Sequence, residues 1–172
     1  KFCNRKKLDF NSTKSQFEEC KKILQKDRNQ RIRPGLDNKR ITGWNALLLT
    51  GFVNAYWANE DQKYLQSAIE IAEFFEKSLK HNNALWHTYN NGHGYIEAYL
   101  SDYAPAIQAY IDLYQATFEE KYLTQAYEWM EFVIDHFYDE KSGMFYLNSD
   151  QAEQLVSRPM ELSDNVISSS NS

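Results

Sequence analysis

The stretch QKYLQSAIEIAEFF, residues 62–75, returns 58 positions later as EKYLTQAYEWMEFV, residues 120–133. In both stretches apolar residues recur at spacings of three and four, which places them on one face of an α-helix, while acidic residues occupy the other face. We therefore predict two equivalent amphipathic helices, each with one buried and one solvent-exposed side. The predicted buried sides consist of Leu65, Ala68, Ala72, Phe75 and Leu79 in the first helix and of Leu123, Ala126, Met130, Val133 and Phe137 in the second.

Each amphipathic helix follows a segment that is almost free of charge. Residues 44–58, WNALLLTGFVNAYWA, contain no charged residue, and residues 103–116, YAPAIQAYIDLYQA, contain only Asp112. A helix that is apolar nearly all round is buried, so each repeat pairs a buried inner helix with a half-exposed outer one. Short strand-like runs at 85–87 and 143–145 indicate β-hairpin connectors. The pattern predicts an all-α fold, a partial α/α toroid with short β-hairpin connectors, whose inner helices line a central cavity.

The whole chain, 1–172, is predicted to be a single incomplete toroid domain. Residues 1–40 form a basic N-terminal helix and loop, 41–98 the first helix-pair repeat, 99–156 the second, and 157–172 the start of a third. Because the chain begins with Lys rather than Met and ends within a serine-rich run, both ends are expected to continue in a longer protein. The end faces of an incomplete ring expose apolar surface, so we expect a homodimer through those edges.

Composition excludes several classes of protein. Apolar residues make up 42% and charged residues 25% of the chain, which is typical of a folded domain. No apolar run reaches the roughly 18 residues of a membrane span, and no N-terminal signal segment is visible, so we predict a cytoplasmic protein without membrane contact. The two cysteines, Cys3 and Cys20, are expected to be free thiols.

Charge is divided unevenly along the chain. Residues 1–40 carry a net charge of +8, and residues 41–172 carry a net charge of −13. A basic segment is a feature of nucleic-acid-binding proteins, but this one lacks interleaved aromatic residues and the acidic remainder repels phosphates, so we predict no nucleic-acid partner. His87 and His93 lie close in sequence without a clear third ligand, and we predict no metal and no other cofactor.

Three polar segments fall at equivalent places, at or just before the start of an inner helix. They are RPGLDNK at 33–39 with TGWN at 42–45, YLSDYA at 99–104, and RPMELSDN at 158–165. A toroid would bring them to one mouth of the ring, where carboxylates from different repeats could perform acid–base chemistry on a sugar and aromatic rings could stack on it. Each segment also has a structural interpretation, because acids at helix starts cap helices and aromatic residues on inner helices are often core residues.

We take the acidic side chains of these segments as catalytic candidates and the other side chains as substrate-binding candidates. The catalytic candidates are Asp37, Asp102, Glu161 and Asp164. The substrate-binding candidates are Lys39, Trp44, Asn45, Trp86, Tyr99, Tyr103, Arg158, Asn165 and Asn171. Among them, Lys39 and Arg158 are expected to position the substrate.

The same segments, together with HFYDEKSGMFY at 136–146, resemble the YyaL/spermatogenesis-associated protein 20 family. The resemblance runs from about Cys20 to Ser172. It implies that full-length members carry an N-terminal thioredoxin-like domain, which this chain lacks, followed by an α/α toroid similar to N-acylglucosamine 2-epimerases and six-hairpin glycosidases. Asn38 stands where the family usually has a second Asp, and the histidines expected of the sugar epimerases are not visible in matching inner-helix positions.

Two functions remain open at this point. In the first, the toroid acts on or binds a carbohydrate-like small molecule through carboxylates at the starts of its inner helices. In the second, it is a non-catalytic binding or scaffold module that works with the thioredoxin-like domain. An aromatic-lined pocket with a polar floor favours the first function, and a plugged or shallow cavity favours the second. If Asp102 contacts the ligand, Asp102→Asn is expected to remove sugar binding while leaving the melting temperature nearly unchanged.

Overall fold

The structure, a computed structural model, describes residues 2–153, 157–164 and 167–171. The chain divides into two compact units, Lys1–Asp37 and Asn38–Ser172. The first unit contains helices α1 (Phe2–Lys6) and α2 (Phe10–Asn29). Helix α2 begins after Asp9, whose carboxylate accepts the backbone N–H of Ser12, and it buries none of its side chains.

Four helices form the frame of the second unit. They are α3 (Thr42–Asn59), α4 (Gln62–Phe74), α5 (Leu100–Thr117) and α6 (Glu120–Phe137). Helix α3 packs against both α4 and α5, and α5 packs in turn against α6. The two predicted helix pairs are therefore present, with α3 and α5 side by side at the centre and α4 and α6 on the outside.

Short strands connect the helix pairs. Helix α4 ends in one turn of π-helix, Phe75–Leu79, and leads into a small antiparallel sheet. Its central strand pairs with each of the other three strands. The four strands are β1 (Arg40–Ile41), β2 (Lys80–His81), the central β3 (Ala84–Asn90) and β4 (His93–Glu97), and a separate hairpin after α6 consists of β5 (Tyr138–Asp139) and β6 (Met144–Phe145).

Aromatic packing joins the two helix pairs. The indole of Trp129 on α6 lies against Tyr110 on α5, with ring centroids 4.6 Å apart, and against Phe75, at 6.2 Å. The hydroxyl of Tyr110 donates to the backbone oxygen of Ala72 on α4. Because burial of a large aromatic side chain contributes on the order of 1.5–3 kcal/mol, these three rings are a major part of the core.

The buried face of α6 differs from the one predicted by the repeat. Leu123 and Met130 were expected in the core, but they are 41% and 43% exposed. Trp129 occupies the core instead, whereas the equivalent position of α4 holds the smaller Ile71. The buried face of α6 is therefore centred near Trp129, and Leu123 and Met130 lie beside it rather than in it. They belong to an exposed apolar stripe that consists of Leu123, Tyr127, Met130 and Ile134.

The inner helix α3 is less buried than its uncharged sequence predicted. Trp44, Leu47, Leu48 and Trp57 are all largely exposed, and the buried positions are confined to one side of the helix. A helix of a ring meets neighbours on two sides and the cavity on a third, so an arc of two helix pairs covers only part of its apolar surface. Among the helices of the described residues, none has both the length and the hydrophobicity that crossing a membrane requires.

Candidate functional site

A cleft of about 780 Å³ opens at the N-terminal ends of the two inner helices. Strand β3 contributes one side of it, and Glu161 and residues 167–170 contribute another. The lining of the cleft contains residues from three of the predicted polar stretches, 42–45, 99–104 and 158–165. Its lining residues include Trp44, His87, Asp102, Gln108, Glu161 and the serines 168–170.

Asp102 joins three parts of this cleft through its carboxylate. One oxygen, Oδ1, accepts the backbone N–H of Gly43 at the start of α3, at 2.8 Å. The other oxygen, Oδ2, accepts the backbone N–H of Tyr99 at 2.9 Å and lies 2.7 Å from Nδ1 of His87. Asp102 is only 2% exposed, so its negative charge is held by hydrogen bonds rather than by water.

His87 forms an imidazole–carboxylate pair with Asp102. A carboxylate can only accept hydrogen bonds, so the Nδ1–H of His87 donates to Oδ2 and the other ring nitrogen, Nε2, remains available to a ligand. This hydrogen bond raises the pKa of His87 above its usual value, against the opposing effect of partial burial. The imidazole is therefore a group that can take up and release a proton at the edge of the cleft.

The local sequence explains why Asp102 is buried at this place. Tyr99 is the residue before α5, and Asp102 is the third residue of the helix, where a carboxylate reaches back to the free N–H at the helix start. Gly43 allows α3 to approach closely, since a Cβ at this position would lie 2.8 Å from the backbone oxygen of Ser101. The two helix starts therefore meet at one carboxylate.

Aromatic and amide groups complete the wall formed by the inner helices. Trp44 lines the cleft and is 65% exposed, so its ring is open to a ligand. Gln108, further along α5 than Asp102, also lines the cleft, and its amide donates to the buried Asp112 at 2.8 Å. An exposed indole beside hydrogen-bonding groups is the combination that a sugar ring requires, because a sugar has an apolar face and a polar edge.

The opposite wall is a loop that is tied down by its own side chains. Ser169 donates from its hydroxyl to the backbone oxygen of Glu161 and from its N–H to the carboxylate of Asp164. The amide of Asn171 pairs with both backbone groups of Phe145 on β6, at 2.7 and 2.9 Å. Glu161 lines the cleft, whereas Asp164 and Asn171 hold the loop that carries it.

Two predicted binding residues, Tyr103 and Arg158, use their polar groups within the fold and do not line the cleft. Tyr103 is 1% exposed and packs in the core, where its hydroxyl oxygen accepts the N–H of Leu85 and burial raises its pKa. Arg158 donates to the backbone oxygens of His136 and Asn148. These contacts correct the expectation that the two side chains meet a ligand, because their polar groups already serve the fold.

The side chains of Trp86 and Asn45 also do not line the cleft. The indole of Trp86 stacks on the imidazole of His81, with ring centroids 3.8 Å apart, and lines a separate cavity of about 590 Å³. Trp86 and His87 are neighbours on β3, and successive side chains of a strand point to opposite sides of a sheet. Asn45 donates to the backbone oxygen of Ile41 and lies in a groove between α3 and α4.

The remaining candidates are Tyr99, Lys39, Asp37 and Asn165. The ring of Tyr99 lies 4.8 Å from that of His87, so it borders the imidazole. Lys39 precedes β1 in the second unit and is exposed. Asp37 is the last residue of the first unit. Asn165 lies outside the described residues.

Sequence reasoning missed the role of His87. The sequence analysis compared it only with His93, as half of a metal site, and His93 is exposed on the neighbouring strand β4. In the described part of the chain, no three His, Cys, Asp or Glu residues come close enough to hold a metal ion. The signal that could have identified the pair was the hairpin itself, because β4 returns the chain from His87 to the start of α5.

Comparison with known proteins confirms the fold and the family resemblance. The profile of Glycosyl Hydrolase Family 88 matches residues 16–155. "Uncharacterized protein B0495.5" of Caenorhabditis elegans is 37% identical over 152 residues, which are 84% of this chain and 20% of that protein. "Spermatogenesis-associated protein 20" of Rattus norvegicus is 27% identical over 147 residues, which are 80% of this chain and 18% of that protein. The chain thus spans about a fifth of the length of these relatives.

Two solved structures with similar folds are those of a mannanase and of a sugar epimerase. The GH76 alpha-mannanase BT2949 of Bacteroides thetaiotaomicron is 23% identical, with a TM-score of 0.60 over 67% of this chain and 33% of the mannanase. The cellobiose 2-epimerase of Spirochaeta thermophila is 18% identical, with a TM-score of 0.62 over 73% of this chain and 32% of the epimerase. At this identity the likeness concerns the fold alone, and it confirms the predicted partial α/α toroid.

Proposed function

The chain belongs to Glycosyl Hydrolase Family 88, and from this membership and the geometry of the cleft we propose that the protein binds a sugar at the mouth of the toroid and moves a proton on it through His87. The observation that carries the proposal is the 2.7 Å contact between His87 Nδ1 and Asp102 Oδ2 at the edge of an open cleft. Hydrolysis of a glycosidic bond and epimerisation of a sugar carbon both need a group that donates or removes a proton. An imidazole can do either, and the hydrogen bond to Asp102 raises the pKa of this one and so favours its protonated form.

Asp102 is a positioning residue in this proposal rather than the acid itself. Its two oxygens are occupied by two backbone N–H groups and by His87. It therefore fixes the tautomer of His87, so that Nε2 faces the ligand, and it stabilises the imidazolium when a proton is taken up. The sequence analysis took Asp102 as a catalytic candidate, whereas here His87 transfers the proton and Asp102 orients His87.

Trp44 and Glu161 bind the sugar from two sides of the cleft. The exposed indole of Trp44 stacks on the apolar face of the sugar ring and removes that face from water. Glu161, on the loop wall, accepts hydrogen bonds from sugar hydroxyls and is a candidate second proton-transfer group. Asp37, Lys39, Asp164 and Asn165 keep their predicted roles as proposals. The cytoplasmic location is likewise a prediction.

His87→Gln tests the proposal. With the full-length protein, the substitution should reduce turnover of a responding sugar by at least about a hundredfold, the typical contribution of a general acid or base, while changing the dissociation constant little. His93→Gln, on the exposed strand β4, is the matched control and should leave both quantities unchanged. Sugar binding without any turnover in the unmodified protein would favour the non-catalytic binding module, and absence of sugar binding would overturn the proposal.

A further inference from the structure

Gln108 and Asp112 form a second hydrogen-bonded pair of side chains beside the cleft. They are four residues apart on α5, which places them on one face of the helix. Nε2 of Gln108 donates to Oδ1 of Asp112 at 2.8 Å, and Asp112 is only 8% exposed. Gln108 is exposed and lines the cleft. The pair therefore links a buried carboxylate to a polar group that a ligand can reach.

The carboxylate of Asp112 fixes the orientation of the Gln108 amide. A carboxylate can only accept hydrogen bonds, whereas the amide has a donor, its NH₂ group, at one end and an acceptor, Oε1, at the other. Turning the amide over would break the hydrogen bond and set two acceptor oxygens against each other, at a place where little water reaches the carboxylate. The NH₂ group therefore stays with Asp112, and Oε1 is held on the side away from it.

From this arrangement we infer that Gln108 determines specificity by accepting, at Oε1, a hydrogen bond from one hydroxyl group of the sugar, and that Asp112 is the positioning residue that sets this requirement. The inference rests on the proposed function, since it concerns the ligand of the same cleft. A hydroxyl group can donate to Oε1, whereas a fluorine atom in its place cannot. Because the requirement concerns a single hydroxyl group, it applies equally to neutral sugars and to sugars that carry an acidic group.

The Gln108–Asp112 pair and the His87–Asp102 pair have separate tasks. In both pairs a buried carboxylate of α5 orients a side chain at the cleft. The imidazole of His87 moves a proton, whereas Oε1 of Gln108 accepts a hydrogen bond that is kept as long as the ligand is bound. A change at Asp112 should therefore alter which sugars are preferred without removing the proton-transfer group.

Fluorinated sugars test the inference in the full-length protein. Calorimetry is performed with methyl glucoside, methyl mannoside and methyl glucuronide, and with analogues in which each ring hydroxyl group in turn is replaced by fluorine. At one ring position we expect the fluorinated analogue to bind about tenfold more weakly than its parent sugar, because a hydrogen bond is lost and two acceptors face each other. Asp112→Asn should reduce this ratio to about threefold or less, since asparagine can donate to Oε1 and lets Gln108 turn its NH₂ group to the ligand.

Two further variants separate the effect on specificity from an effect on folding. Gln108→Lys keeps a donor for Asp112 but has no acceptor, so it should also reduce the ratio at that ring position to about threefold or less. Asp135→Asn, at an exposed position of α6, removes the same charge as Asp112→Asn and should leave the ratio at every ring position unchanged.

The outcomes distinguish the inference from the proposed function. Parent sugars that bind without any fluorine-sensitive position, or a sensitive position whose ratio persists in Asp112→Asn or in Gln108→Lys, would overturn the inference while leaving sugar binding intact. Failure of every parent sugar to bind would overturn the proposed function and the inference with it. A ratio that falls in Asp112→Asn and in Gln108→Lys, but not in Asp135→Asn, would support both.

Discussion

The backbone N–H of Gly43 donates to the carboxylate of Asp102 across 2.8 Å. This bond links two residues that are 59 positions apart in the chain, and so it joins the start of α3 to the start of α5. The same carboxylate holds His87, so packing of the inner helices and orientation of the imidazole depend on each other. A substitution that separates α3 from α5 should therefore affect both stability and the histidine.

Gly43→Ala tests the close approach of the helix starts. Its Cβ would lie 2.8 Å from the backbone oxygen of Ser101, which cannot move without shifting α5, so we expect a loss of about 1–3 kcal/mol of unfolding free energy in urea titrations. Gly51→Ala is the control, because no atom lies within 4 Å of its added Cβ. In the interior of α3 the control should stabilise the protein by about 0.5–1 kcal/mol.

Asp102→Asn should destabilise the protein, which differs from the expectation that the sequence suggested. The amide has one accepting oxygen, so its NH₂ group would face a backbone N–H, and an unsatisfied buried donor costs about 1–3 kcal/mol. Asp112→Asn is the control, because Gln108, whose amide donates to that carboxylate, can turn its own amide to match. Equal unfolding free energies for the two variants would contradict the central role of Asp102.

The stability contribution of His87 should depend on pH. Because its pKa is raised in the folded protein, the protonated form is favoured there, and the stabilisation is complete below the unfolded pKa of about 6.5 and is lost as the pH rises through the folded pKa. The difference in unfolding free energy between the unmodified protein and His87→Gln should shrink over that window. Nuclear magnetic resonance of the His87 ring gives the folded pKa independently.

His81 should show the opposite dependence. Burial lowers its pKa, so the folded protein favours the neutral imidazole and loses stability as the pH falls below about 6.5. His81→Gln should remove this loss at low pH. Parallel pH profiles for the His81 and His87 variants would show that their environments do not differ as the structure indicates.

Gly94 should be required for the stack of Trp86 on His81. A Cβ at position 94 would lie 2.0 Å from Cδ1 of the indole, so Gly94→Ala must displace the ring and is expected to cost about 1–3 kcal/mol, with a change in tryptophan fluorescence. The double variant Gly94→Ala with Trp86→Leu should be less destabilised than the sum of the single variants, since the smaller side chain leaves room. Additive effects would indicate that the two residues do not meet.

The homodimer stays a prediction, and the exposed stripe of α6 offers a test. Met130→Lys places a charge in the middle of Leu123, Tyr127 and Ile134 and should lower any self-association seen by sedimentation. Thr124→Lys, on the polar face of the same helix, should leave the association unchanged. A purely monomeric protein at all concentrations would refute the dimer.

The sequence by itself determined the repeated helix pairs, the short connectors and the toroid. These features follow from local periodicity, because the helical spacing of apolar residues can be read within a single segment of the chain. It also located the polar segments that meet at the cleft, including Trp44, Asp102 and Glu161. Only the tertiary structure decided which polar side chains form hydrogen bonds within the fold. Tyr103 and Arg158 bind backbone groups, and Asp102 binds His87. The reason is that a hydrogen bond between residues far apart in the chain depends on how helices and strands pack, and packing is decided by shape and volume across the whole core rather than by the pattern of any one segment.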